Sequence, residues 1–331
     1  MTNKPAAIKR LYAALETDTP DIDELWADAC KAHTKHPDLY QDWLPSFYDS
    51  IHKDRLLAQT DNLEALDSNI EIMPRGRFNL RLGRRNTGNF TSAILKKALS
   101  SKRTGNLHGI ELHHHRKMSD AMFALLTNCK HLDELKALVF ASIPTLRLDH
   151  VEALLEASCA ISLEKLHISH TSELGDGVID MLLAAPHREK LKDLQLSDVG
   201  LTGNALEKLQ TTSELPALTS LDITGNDRVD AASVVQFLES PFAAQLERFW
   251  VDSSVLGDDG ARAIANSPNL RKIDSLALKN AGLSIEGVRA LVASEHLPSL
   301  KSLMVWGKNV NYTDAEMEAL QEEYAGKVQI V

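Results

Sequence analysis

Three consecutive imidazoles, His113, His114 and His115, with His108 and His167 further along the chain, are the first residues whose types suggest chemistry. Histidine nitrogens bind transition metals, but a tight site needs three or four ligands converging on one point. In an extended segment neighbouring side chains alternate faces, so His113 and His115 share a side and His114 does not. No carboxylate or thiol lies at ligand spacing beside them, and no metal or other cofactor is expected. A patch sensitive to pH is the other reading of the run. Cys30, Cys129 and Cys159 are far apart and form no CxxC, which excludes a zinc knuckle or a disulfide framework. Cys129 and Cys159 occupy equivalent late positions in two helices and read as core. No P-loop, GxSxG, HExxH or dinucleotide fingerprint occurs, so an enzyme is not expected.

Charge provides a second chemistry. The chain carries a formal −10, which argues against general affinity for a phosphate backbone. Between 74 and 118, however, eleven basic residues (Arg75, Arg77, Arg81, Arg84, Arg85, Lys96, Lys97, Lys102, Arg103, Arg116 and Lys117) face Glu111 alone, a net +10 between flanks of −7 and −13. Such a block suits phosphate, nucleic acid or an acidic protein surface. It could equally be neutralised by an acidic N-terminal segment containing Asp18, Asp21, Asp23, Glu24 and Asp28.

The elements that position these groups follow from the leucines. Starts at Leu107, Leu135, Leu163, Leu191, Leu218, Leu246, Ile273 and Leu300 are separated by 28, 28, 28, 27, 28, 27 and 27 residues, and each opens L-x-x-L-x-L or a close relative. The fourth and sixth residues of each unit, such as Leu166 with Ile168 and Phe249 with Val251, alternate as in a short strand with one apolar face. A loop follows, then a residue able to cap a helix: Ser119, Asp149, Asp176, Thr202, Asp230, Asp258, Ser284 and Thr313. Helical spacing comes next, as in Ile285, Val288, Leu291 and Val292. One strand and one helix bury little alone, so the units must stack into a solenoid. RFNLRLG at 77–83, with a helix over 93–99, reads as a divergent first repeat, and VQIV at 328–331 as a short closing strand. The expected domains are a helical N-terminal cap over 1–73 and a solenoid over 74–331.

Units of this length, with LxxLxL followed by a loop and a full helix, resemble the ribonuclease-inhibitor-like class of leucine-rich repeats, over 107–325 and more weakly over 77–106. The resemblance implies an α/β horseshoe with parallel strands on the concave face, helices on the convex face, and a role in binding proteins. One relative of the class activates a small GTPase. On that reading the chain regulates a nucleotide-hydrolysing enzyme, with Arg84 or Arg85 as the needed exposed arginine. The class usually carries Asn or Cys at the ninth position to satisfy loop backbone. Here the row reads His115, Ile143, Thr171, Val199, Asn226, Ser254, Ala281 and Lys308, and only Asn226 conforms.

Fifth and seventh positions point away from the leucine layer onto the concave face. The fifth row reads Arg81, Glu111, Val139, His167, Gln195, Asp222, Trp250, Ala277, Met304, and the seventh Gly83, His113, Ala141, Ser169, Ser197, Thr224, Asp252, Lys279, Trp306. Nine strands would make a face about 40 Å long, enough for a protein partner. Large apolar groups are unfavourable on a bare strand face and tryptophan is enriched at binding hot spots, which singles out Trp250, Met304 and Trp306. The alternative is that Trp306 packs under the C-terminal helix. The candidate partner-binding residues are Trp250, Met304, Trp306, His167, Asp222, Asp252, Arg81, Arg84 and Arg85. The expected function is a protein-interaction scaffold; a polyanion or nucleic-acid binder acting through 75–117 is the rival. The opening MTNKPAAIKR lacks a secretion-signal core and no run is long enough to span a membrane, so a cytoplasmic protein is expected.

Overall fold

The computed structural model describes residues 5–16, 28, 31, 32, 36, 70–73, 77–82, 95, 99 and 107–331, the last span without 116, 117, 130, 131, 133, 134, 172, 253–255, 308 and 309. Arg84, Arg85 and most of the basic block lie outside the described residues.

Helix α1 (Ala6–Glu16) precedes the sheet. Strands β1 (Ile70–Met73) and β2 (Arg77–Leu82) pair antiparallel, and from β2 onward every strand pairs parallel with the next in chain order. These are β3 (Leu107–His113), β4 (Ala137–Ala141), β5 (Lys165–Ser169), β6 (Asp193–Ser197), β7 (Ser220–Asp222), β8 (Arg248–Asp252), β9 (Ser275–Lys279), β10 (Ser302–Met304) and β11 (Gln329–Ile330). Between consecutive strands run α2 (Asp120–Thr127), α3 (Leu148–Glu156), α4 (Gly177–Ala184), α5 (Gly203–Gln210), α6 (Ala231–Glu239), α7 (Gly257–Ala265), α8 (Ile285–Val292) and α9 (Asp314–Glu323). The architecture is an open α/β leucine-rich-repeat horseshoe. Strand β2 and the closing strand β11 stand where the leucine register places them. The hairpin partner β1 has no periodicity to announce it.

Register explains the spine. Leu138 lies beside Leu166, Leu166 beside Leu194, Leu194 beside Leu221, Leu221 beside Phe249, and Phe249 beside Leu276. All are buried in one continuous cluster that runs to Ile330. A fully buried leucine contributes about 2 kcal/mol of transfer free energy, so each unit depends on its neighbours for several such terms. Phe237 of α6 reaches the sheet, its ring 5.4 Å from that of Phe249. Cys129 and Cys159 are buried, but they follow α2 and α3 rather than ending them. Burial pushes the Cys159 thiol up to about 12, which leaves it a core group.

Six of the expected caps occupy the cap position; Thr202, Asp230, Ser284 and Thr313 accept from first-turn amides there, and Ser119 and Asp176 do not. Three aspartates behave otherwise. Arg147 caps α3, and Asp149 lies inside the first turn, accepting from its guanidinium. Asp176 and Asp258 reach sideways instead. Asp176 accepts from the Thr202 amide at 2.7 Å and its hydroxyl at 2.5 Å, and Asp258 from the Ser284 amide at 2.8 Å and hydroxyl at 2.6 Å. Each carboxylate ties its own repeat to the cap of the next.

The loops, deprived of ninth-position asparagines, satisfy their backbone at the eighth position. His114, Ser142, His170, Asp198 and Asn280 all take the left-handed conformation, as does Gly225. The turn lets the amide continue the parallel ladder: His114 N–H donates to Ala141, Ser142 to Ser169, His170 to Ser197 and Asp198 to Thr224. A left-handed L-residue costs about 1 kcal/mol, and a saved buried amide offsets that. At Gly225 a Cβ would sit 3.2 Å from the Asp198 amide nitrogen, a tight approach that adds to the conformational preference for glycine there. Asn226 adds a side-chain solution. Its buried Oδ1 accepts from the amides of Val199, Gly200 and Leu201, and its Nδ2 donates to the carbonyls of Leu196 and Ile223.

Candidate partner-binding face

The inward face is built from the third, fifth and seventh residues of each unit, which share one parity along the strand. The inner row on β5 and β6 is internally paired. His167 Nε2 lies 3.2 Å from Asp193 Oδ1 and Lys165 Nζ 3.8 Å from Asp193 Oδ2. Burial raises the Asp193 carboxyl, but hydrogen bonding and charge from His167, with help from Ser220 and Lys165, outweigh it and leave the group below its ordinary value. Along the rim, Glu164 bridges Lys136 and Lys192, each at 2.7 Å. Their hydrogen bonds hold Glu164 at about 2. Gln195 Nε2 donates to Ser197 Oγ at 3.0 Å.

From β7 onward the character changes. Asp222 Oδ1 accepts from the Thr224 amide at 2.9 Å and hydroxyl at 2.8 Å, bonds that turn the chain but bring no counter-charge. Trp250 stands beside Asp222 in register, half-buried, with Nε1 donating to Ser275 Oγ at 3.1 Å. Ala277 lies between Trp250 and Met304 in register and is 0% exposed, because the two large neighbours close over it. Asp252 is in register with Lys279, yet the Lys279 ammonium lies 5.0 Å over the ring of Trp306. Burial raises the Asp252 carboxyl, the Lys279 charge and a Gly225 backbone bond oppose this, and repulsion from Asp222 and Asp227 reinforces it, so the group rests above its ordinary value. Trp306 is 52% exposed and therefore does not pack under the C-terminal helix.

Neither a protein-family model nor a curated protein matches the chain in sequence. Among solved structures, the complex of Rad7 and Elc1 in yeast is similar, with a TM-score of 0.53 and 14% identity over 97% of this chain and 91% of that one. That likeness concerns the fold alone. An internalin, inlF, from Listeria monocytogenes gives a TM-score of 0.37 at 17% identity, covering 69% of this chain and 62% of its own.

The structure thus places Asp222 on β7, Trp250 and Asp252 on β8, and Met304 on β10 with Trp306 just beyond it, and sets His167 apart, 3.2 Å from Asp193. Arg81 is placed by backbone register beside Glu111 at the other end of the face. His113 Nε2 contacts Glu111 at 3.3 Å, and among the described residues no group of three or more His, Cys, Asp or Glu is arranged to hold a metal ion. No described helix is long and apolar enough to cross a membrane. Lys165, Asp193, Ser220 and Ser275 were missed as face residues. The signal was available, since the third position lies two residues before the fifth and must point the same way.

Proposed function

We propose that this chain is a protein-interaction scaffold, without catalysis of its own, that holds a partner on the concave face of β7 to β10. The observation that supports this reading above others is the indole of Trp306, 52% exposed just beyond β10 at an inward position, with half-buried Trp250 and Met304 at other inward positions. Exposed aromatic area of this kind is unfavourable in water and gives large returns when a partner covers it. A solved structure sharing this fold is itself a complex of two proteins, Rad7 and Elc1, and the same use of the fold is proposed here. The unit length with full helices supports the ribonuclease-inhibitor-like subtype, and the proposed location is the cytoplasm. Arg81, Arg84 and Arg85 form a proposed second handle for an acidic or phosphate-bearing surface.

Affinity capture from the native cell with the wild-type chain, Trp250→Ala and Trp306→Ala tests the reading. Each substitution should weaken the captured partner by about 2 kcal/mol. Capture undiminished in the folded double variant would remove this face from consideration.

A further inference from the structure

The inward positions of the described repeats from β3 onward carry four carboxylates, Glu111, Asp193, Asp222 and Asp252, and they divide evenly. Glu111 has His113 at 3.3 Å, and Asp193 has His167 and Lys165. Asp222 and Asp252 have no lysine, arginine or histidine nitrogen within 4.0 Å among the described residues. Asp252 Oδ1 is buried and meets no hydrogen-bond donor among them. A carboxylate removed from water without a cation is costly, and this one has Lys279 in register on the next strand. That lysine instead lies over the Trp306 ring, which shows the indole already acting as a seat for a cation.

Between the two unpaired carboxylates stands Trp250. It neighbours Asp222 across the strand pair and Asp252 along its own strand, on the same face. Two acidic groups bordering an aromatic surface do not suit an anion. They are one ligand short of the three-group minimum for a metal site, in agreement with the absence of any such group among the described residues. An apolar segment would bury both charges further. A planar guanidinium answers all three groups, because it stacks on an indole and donates to carboxylates through a fixed fork, which an ammonium does not do.

We propose that the β7 to β10 face receives a partner-protein segment through an arginine side chain, whose guanidinium lies against Trp250 and bridges Asp222 and Asp252. This rests on the docking reading above and adds the chemistry of the occupant. It also accounts for the two halves of the face differing in charge satisfaction, since the cation that answers Asp222 and Asp252 comes from another molecule. Burial chiefly holds Asp252 above the ordinary carboxylate range, and a cation brought against it acts in the opposite direction.

The test is a random-peptide display selection on the full chain, with the selected peptides then made synthetically and their affinities measured. The expected peptides contain an arginine whose replacement by citrulline, isosteric and uncharged, lowers affinity about tenfold. Asp222→Asn with Asp252→Asn should cause a similar loss and should add little to the citrulline peptide, while Asp193→Asn leaves binding unchanged. Citrulline on the unmutated chain makes the result independent of whether the variants fold. Peptides that need Trp250 and Trp306 yet tolerate citrulline would overturn the arginine inference and leave the docking face standing. Peptides indifferent to both tryptophans, or a selection yielding none, would overturn both.

Discussion

On β5 and β6 the inward charges face opposite charges, although buried His167 Nε2 makes no well-formed hydrogen bond, whereas on β7 to β10 carboxylates stand without ion pairs among the described residues and aromatic surface is left open. The strands of both halves come from the same repeat, with leucines at the same positions and the same parity pointing inward. In the first half Asp193 is held by His167 and Lys165, and Glu164 by Lys136 and Lys192. In the second, Asp222 and Asp252 make no ion pair within 4.0 Å among the described residues, Asp252 Oδ1 meets no hydrogen-bond donor among them, and Trp306 stands half in water. Polar groups that serve only the fold are expected to be paired within it. The contrast therefore separates a surface completed by folding from one completed by a partner.

Asn226 sits at the boundary, in the loop after β7, and bonds to backbone of the preceding repeat. Asn226→Ala leaves three amides, two of them buried, without their acceptor, and a loss of about 3 kcal/mol is expected. If the halves are one cooperative stack, chemical denaturation of this variant stays a single transition at lower denaturant. Two resolved transitions would show that the contrast reflects independent domains.

Next in size are the tryptophans, which differ in what they do for the fold. Trp250 helps cover Ala277 and donates to Ser275, so Trp250→Ala should cost about 2 kcal/mol of stability. Trp306→Ala, at an exposed ring, should change stability by under about 0.5 kcal/mol. Thermal melts of both variants separate the indole with a structural share from the one retained for binding. Equal destabilisation would place Trp306 in the core and remove it from the contrast.

Much of this was legible in the leucines. The 27- and 28-residue register placed the strands, the inward rows and both tryptophans, because a side-chain parity of two leaves no freedom once one face is apolar. The division of the face was not legible. It depends on which neighbour a long side chain chooses, and Lys279 turning to Trp306 rather than Asp252 is a rotamer choice that spacing does not encode. The left-handed eighth position was hidden as well, since Ser142 gives no sign of positive φ and His114 and His170 only a weak one, whereas Gly225, Asp198 and Asn280 are types that favour it. Asp176 and Asp258 carry a residue type that suits their own helix starts, and only the backbone at those starts turns them to the next repeat.

A smaller pair of effects has opposite signs in the two halves. Asp193→Asn strips His167 and Lys165 of their anion and should destabilise by about 1 kcal/mol. Asp252→Asn removes a charge that the fold disfavours and should leave stability unchanged or raise it slightly. Parallel urea titrations at neutral pH decide the matter, and a clear loss on Asp252→Asn would mean that its carboxylate is paired after all.

The same asymmetry should appear as a pH dependence. Glu164 is lowered in the fold from 4.5 to about 2, so its contribution is fully present above its unfolded value and is lost as pH falls from 4.5 towards 2. Asp193, also lowered, acts in the same direction. Asp252 is raised, so its charged form costs stability at neutral pH and protonation relieves that cost. Melting temperature measured through this acid range should therefore fall in the wild type, fall less in Glu164→Gln, and fall more steeply in Asp252→Asn, whose starting point is higher. An Asp252→Asn profile running parallel to the wild type would mean that this carboxyl titrates alike in the folded and unfolded chain. The electrostatic difference between the two halves would then reduce to their ion pairs alone.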